Sequence, residues 1–129
     1  MIQRIQSVIL LLSTIICIVI LRYSPVLISD DRIIFLLDLQ YPSLCMLLSS
    51  LLSFYSIFMY KNRIKQLLIV RITRLIVAIT FFIIYFTKSE NQEVYYGSFL
   101  IIIPYIFLVI CSIFIKRDEK LVRSADRIR

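Results

Sequence analysis

The sequence predicts an all-α integral membrane fold with four transmembrane helices, both termini cytoplasmic and a basic amphipathic helical extension at the C-terminus. Three observations lead there. Of 129 residues, 60% are hydrophobic and one is glycine, an apolar load larger than a soluble domain of this size can bury. The apolar residues fall into long blocks separated by short charged clusters, and the Lys and Arg residues crowd alternate connections between those blocks. Together these predict a transmembrane domain over residues 1–117, with spans at about 5–21, 41–60, 67–86 and 98–115, followed by a cytoplasmic helical tail over 118–129.

The first block runs from Ile5 to Leu21 and ends at Arg22, with Pro25 beyond it to stop a helix. No small-x-small cleavage pattern follows, so it is expected to be an uncleaved anchor. Residues Ile33 to Leu37 form an apolar run fenced by Asp30, Asp31 and Arg32 before it and Asp38 after. Five residues cannot cross a bilayer, so this run is expected to lie on the outer face or to extend the second helix outward. The second block, Tyr41 to Tyr60, carries Pro42 at its first turn, where a missing N–H costs nothing.

The third block has only Leu75 to Phe86 as an uninterrupted apolar run, so its helix has to start earlier. A start near Leu67 puts Arg71 and Arg74 inside the boundary, where long side chains can reach back to the headgroups. The fourth block, Ser98 to Ile115, carries Pro104, which should kink it. Beyond it, Lys116, Lys120, Arg123 and Arg127 fall within an arc of about 60°, opposite Leu121, Val122, Ala125 and Ile128.

Orientation follows from charge. With both termini inside, 12 of the 15 Lys and Arg residues are cytoplasmic, whereas Asp30, Asp31, Asp38, Glu90 and Glu93 are outside. The net charge of +7 is thereby accounted for as membrane asymmetry, and nucleic acid is not expected as a partner.

Little in the sequence points to catalysis. There is no histidine, the commonest base and metal ligand. Cys17, Cys45 and Cys111 each sit alone inside an apolar block, and the adjacent Asp30 and Asp31 read as solvated turn carboxylates. No catalytic, cofactor or metal site is expected, and Gly97, the lone glycine, cannot build a phosphate-cradling loop. Ser49, Ser53 and Ser56 share one face of the second helix and read as a helix-packing seam, preferred over a permeation path because no charge accompanies them in mid-membrane. Lys61, Arg63, Lys65, Arg71 and Arg74 on the inner connection form a candidate docking surface for anionic lipid headgroups or a partner. Lys116, Lys120, Arg123 and Arg127 form a second one on the tail.

Several stretches resemble a known family: the opening Met1-Ile2-Gln3-Arg4-Ile5-Gln6, the inner Lys61-Asn62-Arg63 with Gln66, Pro104, and the ending from Asp118 to Arg129. They resemble, over the whole chain, small four-helix inner-membrane proteins of Bacteroidota known only as a domain of unknown function. The outer loops carry no recognisable pattern of that family. The resemblance implies an inner-membrane location and four helices, and it brings no activity. From the residues, the expected role is a non-catalytic accessory or scaffolding subunit of a larger membrane assembly, whose partners are the lipid bilayer and other membrane subunits docking through the tail. A small homo-oligomeric transporter or channel is the alternative, and a membrane enzyme ranks last.

Overall fold

The computed structural model describes residues 2–128, so Met1 of the opening motif and Arg129 of the tail lie outside the described residues. Four helices in it are long and apolar enough to cross a membrane. Helix α1 covers Ile2–Tyr23, α2 Gln40–Phe58 and α3 Arg63–Thr87, while the fourth span is divided between a short α4, Tyr96–Phe99, and a long α5, Ile102–Ile128. Each boundary extends or trims the sequence expectation by a few residues. The largest change is in α3, which begins at Arg63 rather than near Leu67. Its first turn is polar, so hydropathy alone does not reveal it.

The helices run up and down with each packed on two neighbours: α1 lies between α2 and α5, and α3 completes the ring against α2 and α5. Large apolar side chains face outward, as at Leu51, Phe54, Ile79, Phe82 and Ile106. The interior mixes Leu10, Met46, Val70, Val77 and Leu108 with Ser49, Ser53, Ser56, Thr73 and Thr80. The pattern is compatible with a hydrocarbon surround, in which helices gain nothing by hiding leucine from lipid and associate through close contact and hydrogen bonds. Many of the buried hydroxyls cap their own backbone, Thr73 Oγ1 donating to the Ile69 carbonyl at 2.8 Å and Thr80 Oγ1 to Ile76 at 2.9 Å.

The α1–α2 and α3–α4 connections correct the all-α expectation. Strands β1 (Pro25–Ser29), β2 (Arg32–Phe35) and β3 (Gln92–Val94) form an antiparallel sheet in the order β2-β1-β3. The run Ile33 to Leu37 is not an extension of α2. It supplies most of β2, then a 3-10 turn over Leu36–Asp38 in which Asp38 accepts the Phe35 N–H at 3.2 Å. Its Ile-Ile-Phe content suits a strand, and Asp30-Asp31 makes the two-residue turn that joins β1 to β2. Both aspartates have positive φ, 33° and 72°, which such a turn requires and which aspartate tolerates better than most residues.

The lone glycine sits where this sheet meets the fourth span. A Cβ on Gly97 would collide with the Pro25 carbonyl and stand 2.5 Å from Ser24 Oγ. Ser24 Oγ donates to the Gly97 carbonyl at 2.8 Å, and Ser98 Oγ to the Val26 carbonyl at 2.8 Å. Pro104 acts just beyond. As the third residue of α5 it cannot donate an N–H to Leu100, and the chain is divided at Leu100–Ile101 rather than gently bent.

Candidate docking surface at the basic end

The opposite end of the bundle is built in layers. Ser53 Oγ donates across to the Leu10 carbonyl at 3.3 Å, which sets α2 against α1. One turn nearer the basic end on these antiparallel helices lie Gln6 and Ser56, and Gln66 of α3 joins them by donating its Nε2 to the Ser56 carbonyl at 3.2 Å. Gln6 and Gln66 are 3% and 1% exposed. Among the described residues Gln6 Nε2 and Ser56 Oγ have no hydrogen-bond partner, so this polar layer is only partly satisfied.

A further turn out, the start of α3 meets the tail. Arg63 Nε stands 3.2 Å from Asp118 Oδ2 and its NH1 donates to the Asp118 carbonyl at 3.3 Å. Their side chains are 22% and 12% exposed, so the pair is shielded from most of the solvent screening that weakens surface pairs. The Oδ2 contact is an ion pair without hydrogen-bond alignment. On the next turn of the tail, Arg123 reaches Glu119 at 2.7 Å in an i,i+4 pair.

This geometry sorts the residues picked out by charge. Lys61, Arg63 and Lys65 form one wall of an open groove of about 790 Å³, and Glu119, Val122 and Arg123 form the other. Arg71 and Arg74 do not join it. They lie about 12 and 16 Å further along α3, Arg71 exposed and Arg74 half-buried. On the tail, Lys120 lines a different groove with Arg117 and Leu121, while Lys116 and Arg127 are exposed and line neither. The two candidate surfaces therefore converge only through Arg123. Ser49 and Ser53 face α1, Ser49 Oγ lying 4.0 Å from Cys17 Sγ, while Ser56 sits at the α3 side beneath Gln66.

Sequence reasoning missed Asp118, Gln6 and Gln66. A signal existed for the first: Asp118 is an acidic residue directly after Lys116-Arg117 in an otherwise basic stretch, at the level where an antiparallel bundle brings α3 to begin. The two glutamines carried a fainter one, as amides near the same end of their helices.

The chain is thus a four-helix bundle with an apolar outside, a hydroxyl-rich inside, a small sheet at one end and a basic groove at the other. A family model described as a domain of unknown function (DUF4293) matches residues 38–128, and the chain belongs to that family. The match begins just before α2, leaving α1 and the β1–β2 hairpin outside it. No curated protein and no solved structure matches the chain.

Proposed function

We propose that the chain is a four-span protein of a bacterial inner membrane, with both termini cytoplasmic, acting as a non-catalytic accessory or scaffolding subunit that offers its C-terminal helix to a partner. The observation that carries this reading is the course of α5, which runs unbroken to Ile128 with residues 120–128 all exposed. Leu121, Val122 and Ile128 are exposed there, beside Lys120, Arg123 and Arg127. An apolar stripe on a basic helix outside the hydrocarbon calls for a protein cover, and basic residues opposite the stripe favour a partner over a helix lying flat on lipid.

Deleting residues 120–129 tests the reading, because it removes the stripe and retains Asp118 and Glu119. The shortened chain should keep its insertion and abundance and lose stoichiometric partners on gentle solubilisation. Retention of every partner would overturn the proposal. The alternative of a homo-oligomeric transporter or channel draws support from the partly satisfied polar layer of Gln6, Ser56 and Gln66. Ion flux in liposomes that is lost with Gln66→Leu would put it first.

A further inference from the structure

The groove between the α2–α3 turn and the tail has charges that its own carboxylates do not balance. Of the four cations lining it, Arg63 is held by Asp118 and Arg123 by Glu119. Lys61 and Lys65 have no carboxylate within salt-bridge distance among the described residues. The first turn of α3 adds to this field, since it contains no acidic residue and Asn62 makes no side-chain cap.

Depth decides what kind of anion fits. Phe58, Ile64 and Leu68 are 64%, 66% and 55% exposed and mark an apolar surface that runs up to the groove, and Ile64 and Tyr60 form part of its lining. An occupant must therefore present negative charge to the lysines and apolar atoms to the side that faces hydrocarbon. The groove's volume of about 790 Å³ lies within the roughly 300–1,000 Å³ of ordinary ligand sites. Lysine, a compact point charge, suits a phosphate oxygen, whereas the planar guanidiniums are already engaged.

We propose that this groove binds the headgroup phosphate of an anionic phospholipid, with Lys61 and Lys65 as its ligands and the tail as its second wall. The proposal rests on the reading of the four helices as membrane spans. Bound lipid joins the α2–α3 turn to the tail, so the direction in which the tail leaves the membrane depends on an occupied site. An acidic peptide would satisfy the lysines and leave the Ile64 and Tyr60 side without a partner.

The test uses the full chain in phosphatidylcholine vesicles containing a minor fraction of phosphatidylglycerol, with spin-labelled versions of each lipid reporting the motionally restricted fraction. The chain should resist carbonate extraction and restrict phosphatidylglycerol in preference to phosphatidylcholine. Lys61→Gln and Lys65→Gln should each lower that preference about fivefold. Arg4→Gln and Arg117→Gln, of similar charge but outside the groove, should leave it unchanged. Equal losses from both pairs would overturn the proposal in favour of diffuse attraction, as would displacement of the lipid by millimolar inorganic phosphate. Release of the chain by carbonate would instead overturn the membrane reading itself.

Discussion

The two ends of the bundle are held by different kinds of bond. At the sheet end the main chain does most of the work: three strands pair, the Tyr95 N–H donates to the Val26 carbonyl at 2.9 Å, and α4 approaches Pro25 so closely that only glycine fits. At the basic end the ties are side chains, Arg63 to Asp118 and Gln66 to Ser56, and two polar atoms in the layer beneath have no partner among the described residues. Main-chain pairing tolerates changes of side chain, provided the backbones still fit. Side-chain ties can be loosened singly. This protein therefore closes one end by shape and leaves the other adjustable by charge, which is where a docking surface is of use.

Gly97→Ala should give the largest effect, because the added methyl meets a backbone carbonyl that cannot rotate away. A loss of about 3 kcal/mol is expected from unfolding titrations in mixed detergent micelles. A loss below about 1 kcal/mol would mean that the sheet end yields, and the contrast between the ends would go. Asp118→Ala comes next, at about 2 kcal/mol, since it leaves a half-buried Arg63 without its counter-charge. Its effect should be local: amide exchange over residues 116–128 should quicken while that of 25–29 stays unchanged. Addition of Arg63→Ala should recover part of the loss, and strict additivity would show that the pair is not coupled. Ser53→Ala, at mid-bundle, removes a single 3.3 Å bond between helices and should cost only about 0.6 kcal/mol.

Most of the helical frame was legible from hydropathy. The blocks ending at Arg22 and starting at Tyr41 lie within three residues of the boundaries of α1 and α2. Arg63 to Gln66 was harder, because the turn that starts α3 is as polar as a loop and joins the helix only through its contacts with α5 and α2. The sheet was missed for another reason. Pro25–Ser29 and Gln92–Val94 are far apart in sequence, and three residues such as Gln-Glu-Val carry no strand signal until β1 lies beside them. The candidate site was half visible: composition found the cations, but only the fold separated Lys61 and Lys65 in the groove from Arg71 and Arg74 down the helix. Burial of Asp118 was only hinted at by its place after Lys116-Arg117, since its neighbours in sequence are charged and its neighbour in space is 55 residues away.

An unbroken helix is stiff, and α5 carries that property from the bundle into the tail. Its 27 residues span about 40 Å. The interruption in the fourth span lies at its far end, beside Leu100 and Pro104, where Val77, Phe81 and Tyr105 border a small apolar cleft of about 170 Å³. The part outside thus behaves as the handle of a lever whose arm is set between the other helices. A force applied near Ile128 is not absorbed by bending on the way; it arrives as torque at the proline, across the full thickness of the bundle.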